Sequence, residues 1–364
     1  MKIGTLKGSL LEYIIRKLLA NCGFTNVLAD DVYSFEKSGL FFVNGKGAAH
    51  DADIIMNPPI QMPFHYPTQI IFECKAYKDK ARLPIVRNAL GLRNDLNDFE
   101  IVTKDSLEKR KNNRRRAYAV ETRNRFLYQI GVASINDFSA PAIEFAANNK
   151  IPLLSLSWFF SEEELENVNT LTQDIIDTYD EDSLKNTYDF FKDRNASLDE
   201  DKYQLAREFL SGENQIARII SFSDLVISYS YVGVLETGDM IFLFAESPDN
   251  VFAQGNNFRN YRAEIHWYGD RPNLWELEIN NNHNNQFNTF KFFLPNRLFD
   301  YWGKFSLDKN VALDIKQQFF SKIFVFNRKR NLEVPFSIVN IDKEWLDRIR
   351  RELNGGENPA ANNG

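Results

Sequence analysis

The sequence predicts an α/β N-terminal domain, a mixed central sheet flanked by helices. An acidic helical connector follows, and then a second, mostly β C-terminal domain with some helix (α+β). Three observations predict this. Helical periodicity alternates with short apolar runs over the first 160 residues, a strongly acidic stretch follows, and the pattern beyond residue 213 becomes dominated by strand-like segments. At 364 residues the chain is long for one average domain. The expected division is 1–160, 161–212 and 213–354, with residues 355–364 as a disordered tail.

Leu10 to Leu19 repeats apolar residues at helical spacing, and Gly23 suits a C-terminal stop. Leu40–Val43, Asp53–Met56 and Gln69–Cys74 read as strands, separated by Gly45 and Gly47 and by four prolines between residues 58 and 67. Leu83–Leu96 and Ala140–Asn149 have helical spacing, whereas Phe126–Ser134 and Ile151–Leu156 read as strands. Past the connector, Ile219–Tyr231, Met240–Ala245, Tyr261–Tyr268, Leu274–Ile279, Phe287–Leu294 and Ile323–Phe326 read as strands. Helices are expected near Val311–Phe320 and at Lys343–Leu353, and Asn280–Asn285 is an Asn-rich loop.

Composition narrows the class. Apolar residues make up 43% of the chain, enough for sizeable cores, yet no run of 18 apolar residues suggests a membrane span. The N-terminus lacks the pattern of a signal peptide, so a cytoplasmic location is expected. Two cysteines and four scattered histidines exclude a disulfide framework and a zinc finger. The net charge of -6 looks adverse to nucleic-acid binding, but it is unevenly spread. Residues 1–160 carry 22 Lys and Arg against 16 Asp and Glu, whereas residues 161–202 carry 4 against 14. The N-terminal part is the basic one.

Within that part, Asp53, Glu73 and Lys75 stand out. Glu73 and Lys75 are two apart on an expected strand, so they share a face, with Cys74 turned to the other. A hairpin with a long Pro-rich loop brings Asp53 beside Glu73. Two carboxylates suit Mg²⁺, which takes hard oxygen ligands and keeps several waters. Lys75 then suits three roles: orienting a water, deprotonating it, or balancing charge on a phosphate. Taken alone, an Asp…Glu-x-Lys pattern is equally an exposed pair on an amphipathic strand. Here Ile70-Ile71-Phe72 runs directly into Glu73, and charges at the end of a buried strand need partners or a function. A nucleophilic Cys74 has no supporting His and Asn or Asp pattern. Gly45-Lys46-Gly47 lacks the spacing and the Ser or Thr of a P-loop, and no ATPase motif is present.

The combined stretch Gly45-Lys46-Gly47-Ala48-Ala49-His50-Asp51-Ala52-Asp53, followed by Phe72-Glu73-Cys74-Lys75-Ala76-Tyr77, resembles the PD-(D/E)xK nuclease superfamily. It is most similar to the Mrr-like restriction endonuclease branch, in which a Gly-rich stretch and a His precede the metal-binding Asp and an E-C-K strand follows. The resemblance covers roughly residues 7–157. It departs at Asp51, where the branch often has Gln. It implies a restriction-endonuclease-like fold, Asp53 and Glu73 as metal ligands, and Lys75 as the catalytic lysine. It further implies that Glu12, on the first helix, completes the acidic cluster as a catalytic and metal-binding residue. Read from the residues alone, Glu12 is equally a solvent-facing helix residue.

His50 and Lys46 are candidate phosphate contacts, although His50 is as readily a brace for its turn. The basic run Lys109, Arg110, Lys111, Arg114, Arg115 and Arg116 is a candidate DNA-contacting surface or a solvated loop, with Tyr118 as a base-stacking candidate. The expected activity is Mg²⁺-dependent endonucleolytic hydrolysis of DNA, with Mn²⁺ as a substitute ion, in restriction or anti-phage defence. The alternatives are a nuclease-fold binding or sensor subunit active only within a larger defence complex, with a protein partner, and an RNA-cleaving nuclease. Cutting two strands needs two sites or sequential nicking, so a homodimer or larger assembly is expected.

Overall fold

The computed structural model describes residues 1–37, 39–61, 66–99, 126–195, 201–253, 260–267, 271–281, 286–326 and 336–354. The basic run from Lys109 to Arg116, Tyr118 and the tail 355–364 lie outside the described residues.

The N-terminal part is a mixed α/β structure. Helix α1 (Ile3–Asn21) comes first and is followed by β1 (Thr25–Asn26), β2 (Ser34–Lys37), β3 (Leu40–Asn44), β4 (Ala49–Asp51), β5 (Ile54–Asn57) and β6 (Thr68–Lys75). Then come α2 (Leu83–Asn97), β7 (Leu127–Ser134), α3 (Ala140–Asn149) and β8 (Leu153–Ser155). The main sheet has the order β1-β5-β6-β7-β8. Its β1–β5 and β5–β6 pairs are antiparallel, and its β6–β7 and β7–β8 pairs are parallel. A separate antiparallel sheet joins β2, β3 and β4.

Alternation along β6 explains the layers. Ile70, Phe72 and Cys74 face α1, packing in one cluster with Leu10, Ile14 and Leu18. Ile71 faces the opposite side, with Val86 and Ala89 of α2 and Ala142 and Ala146 of α3. Such two-sided burial is what a strand paired in parallel requires, and it accounts for the continuous apolar run before Glu73. Gly131 in β7 keeps this packing tight: a Cβ there would lie 2.6 Å from a Phe72 ring carbon and 3.0 Å from the Pro152 carbonyl oxygen. At the end of α1, Gly23 takes φ +93° and its N–H donates to the Ala20 carbonyl, as the sequence anticipates for that stop.

The acidic segment is helical, with α4 (Glu162–Thr170), α5 (Gln173–Ile176), α6 (Glu181–Lys192) and α7 (Gln204–Leu210). Its role exceeds that of an exposed connector. Val168, Leu171, Ile176, Leu184, Phe190 and Phe191 are buried in the same cluster as α1. The charges crowd the outer face, and the apolar residues between them form a second helical layer over the first.

One expected strand is corrected. Residues 219–228 belong to helix α8 (Gln215–Ser228), and β9 (Ser230–Leu235) begins only after it. The β-branched content suggested a strand, but Ile216, Ile219, Ile220, Ser223 and Ile227 form one buried helical stripe. The Asn214 side chain caps the start by accepting from the Ala217 N–H.

The remaining elements are β10 (Met240–Ala245), β11 (Asn260–Trp267), β12 (Leu274–Asn281), β13 (Gln286–Phe293), α9 (Asn296–Gly303), α10 (Lys309–Phe319), β14 (Lys322–Phe326), β15 (Phe336–Ile341) and α11 (Lys343–Leu353). The seven strands close into a barrel in the order β10-β13-β12-β11-β15-β14-β9. Closure removes exposed sheet edges. Trp275, Trp302, Phe290, Phe292 and Phe320 fill its core. Trp158 stacks on Phe293 at 4.7 Å and Phe159 on Phe244 at 5.0 Å, joining the barrel to the N-terminal part. No described helix is long and apolar enough to cross a membrane.

Candidate active site

The β5–β6 ladder pairs Ile54 with Phe72 and opens one residue later, between Asp53 and Glu73. The Asp53 carboxylate spans this opening: its Oδ2 accepts the Cys74 N–H at 2.8 Å. On β6, Lys75 Nζ lies 3.1 Å from Glu73 Oε2, as their shared face requires. Beyond β6, the Asn136 amide donates to the carbonyls of Tyr77 and Lys78 and fixes the chain as it leaves the sheet.

Glu12 arrives from α1. It is 7% exposed, so the solvent-facing alternative does not hold. Its Oε2 accepts from Lys192 Nζ at 2.7 Å. Burial raises the Glu12 carboxyl above its ordinary range; Lys192 opposes the rise and Asp53 adds to it. Burial likewise raises Glu73, with Asp53 reinforcing the rise and Lys75 opposing it. Burial draws the Lys75 ammonium down, but Glu73 and Asp53 outweigh it and leave the amine raised. Asp53, just ahead of β5, therefore lies in the field of both Glu12 from α1 and Glu73 from β6.

The protein's own contacts engage one oxygen of each: Asp53 Oδ2, Glu73 Oε2 and Glu12 Oε2. Among the described residues no group of three or more His, Cys, Asp and Glu side chains forms a ready-made metal cage. Mg²⁺ does not require one, since it commonly takes one or two carboxylates and completes its shell with water and phosphate oxygens. Hard oxygen donors at the end of a sheet are of the type that ion takes, and Asp53 and Glu73 are the residues that could hold it, with Glu12 in the field of Asp53.

No protein-family model matches the chain, and no curated protein matches it. A solved crystal structure of a protein of unknown function, AF1548, is similar over 59% of this chain and 98% of its own, at 15% identity and a TM-score of 0.29. At that level the likeness carries no inference about fold or chemistry.

The other expected residues fall elsewhere. His50 Nε2 pairs with Asp95 of α2 at 2.7 Å, and Asp95 also accepts the Gly47 N–H at 2.8 Å. The Gly45–Gly47 turn is thereby docked on α2, and His50 braces it. Lys46 is exposed in this turn, its N–H donating to the Asp95 carbonyl. Cys74 is buried, and its thiol is pushed well above its ordinary value, first by burial and then by Asp53, which removes it as a nucleophile.

Two residues were not singled out as members of the site. Asp51 ends β4, two residues before Asp53 and within the field of Lys192 and Asp53; burial raises its carboxyl. Lys192 ends α6, where the surrounding acidity hid it.

Proposed function

We propose that the chain is a metal-dependent nuclease of the PD-(D/E)xK type that hydrolyses DNA phosphodiester bonds in restriction or anti-phage defence. The observation that carries this reading is the convergence of Asp53, Glu73 and Lys75 at the opened end of the β5–β6 ladder, with buried Glu12 beside them. The helix-flanked mixed sheet beneath supports it, as does the motif resemblance. Mg²⁺ or Mn²⁺, when bound, supplies charge neutralisation at the scissile phosphate and a more acidic water.

The chain's own residues do the rest. Asp53 is held by the Cys74 N–H and so presents its carboxylate in one orientation. Glu73 lies next to it across the opened ladder. Lys75 extends from the same face and offers an ammonium to a water or to a non-bridging phosphate oxygen. The basic run around Arg114 supplies positive charge for a nucleic-acid backbone. A homodimer or larger assembly would place two such sites on the two strands of a duplex.

The test is cleavage of supercoiled, linear and single-stranded DNA, and of RNA, by the full chain with Mg²⁺ or Mn²⁺. Cleavage that requires the ion supports the reading. Faster turnover of RNA than of every DNA form would shift the substrate class. Variants that retain parental cleavage after loss of Asp53 or Lys75 would remove these residues from the chemistry.

A further inference from the structure

Lys192 is delivered to the site by a framework built for it. Arg16, buried on α1, donates from Nη1 to the Asp193 carbonyl at 2.8 Å and from Nη2 to the Phe191 carbonyl at 2.6 Å. These carbonyls flank Lys192 on both sides. Tyr13, also on α1, packs against Phe190 and Phe191 with ring centroids 5.3 and 4.9 Å apart. The Asp193 carboxylate then takes Lys202 Nζ at 2.8 Å and the Tyr203 hydroxyl at 2.7 Å, which ties the end of the helix to residues 202 and 203. The end of α6 is therefore anchored to the helix that carries Glu12, while the Lys192 side chain reaches past the anchor to Glu12 Oε2 at 2.7 Å. Asp53 and Asp51 lie within electrostatic reach of the same ammonium.

We infer that Lys192 is the resident counter-cation of the acidic cluster, holding Glu12 when no divalent ion is bound and yielding it when one is. This rests on the metal-dependent reading above. A buried carboxylate left alone is costly, so the ammonium stabilises Glu12 in the ion-free state. A divalent ion beside Glu12 and Asp53 repels that ammonium and competes for the same carboxylate. The two cations are alternatives, and their binding is coupled with negative sign. Because the backbone at 191–193 stays clamped, only the flexible Lys192 side chain needs to move.

The experiment measures Mn²⁺ binding to the full chain without nucleic acid, by electron paramagnetic resonance of the free ion. Lys192→Met is expected to bind Mn²⁺ about tenfold more tightly than the parent, the scale of one charge-assisted hydrogen bond no longer competing. Glu12→Gln is expected to bind more weakly, and Lys192→Met should add clearly less than its tenfold in that background, because the ammonium then acts only at a distance through Asp53 and Asp51. Lys17→Met, which removes from α1 a charge paired with Asp224 of α8, should match the parent. On the parent itself, Mn²⁺ should increase acylation of the Lys192 amine several-fold, read by mass spectrometry. Mn²⁺ binding that is lost in Asp53→Asn but that Lys192→Met leaves unchanged or weakens would overturn the inference while sparing the metal reading. Unchanged Lys192 acylation in the presence of bound Mn²⁺ would overturn it equally. Absence of Asp53-dependent binding in the parent would instead remove the metal reading, and this inference with it.

Discussion

Glu73 shows how one residue's setting becomes measurable. Burial and Asp53 hold its carboxyl above the ordinary range, against the pull of Lys75. A raised carboxyl favours the folded state while protonated, and that contribution is lost as pH rises through its elevated folded value. Glu73→Gln stays neutral throughout. Without divalent cation, its stability relative to the parent should therefore grow as pH rises from about 4 to about 8, across and above the ordinary glutamate range. Urea denaturation at a series of pH values reads this directly, and a difference that does not vary with pH would contradict it. Much of this site was legible in the residues themselves. Ile70–Phe72 leading into Glu73 marked a charge at the end of a buried strand, and strand parity put Lys75 on the same face. Glu12 was visible only as an interruption in an apolar helix, and burial had to decide between its two readings. Lys192 was not legible, because its partner Glu12 lies 180 residues away and its neighbours in sequence are acidic.

At the scale of elements, α6 is held through its end. Arg16 satisfies two carbonyls that a methionine would leave without their donors. Arg16→Met is expected to destabilise the fold by about 2 kcal/mol or more, since each buried polar group left unpaired costs roughly 1–3 kcal/mol. Chemical denaturation measures this, and stability within error of the parent would contradict it. The same scale explains which elements sequence patterns captured. Ala140–Asn149 and Lys343–Leu353 match their expected bounds because helical spacing and flanking residues agree. Helix α8 was misread because Ile219, Ile220, Val226 and Ile227 favour strands locally, and tertiary burial of one helical stripe overrides that preference. The short β1, β2 and β4 have too few residues to display a period, and their pairing is decided by partners distant in sequence.

The whole molecule joins a helix-flanked mixed sheet to a closed barrel, with the acidic helices packed over α1 between them. The barrel was only partly legible. Alternation revealed several of its strands, but closure depends on long-range pairs such as β9 with β14 and the parallel β11 with β15. The uneven charge belongs to this scale too. Replacing Arg114, Arg115 and Arg116 with Gln should weaken DNA binding evenly across sequences and reduce the salt dependence of log K by about 2–3 in slope, if each arginine neutralises one phosphate. Fluorescence anisotropy over a range of salt concentrations checks this, and an unchanged slope would remove the run from the interface. Light scattering of the full chain tests the assembly: a dimer or larger species is expected, and a monomer making double-strand breaks in one encounter would contradict it.

The most direct measurement of the central claim is nicking of supercoiled DNA by the parent, Asp53→Asn and Lys75→Met, with Mg²⁺ and with chelator. Ion-dependent nicking by the parent is expected, with a loss of roughly 10²-fold or more in each folded variant, the usual scale for removing a residue that acts in the chemistry. Parental rates in either variant, or nicking that persists undiminished in chelator, would contradict it.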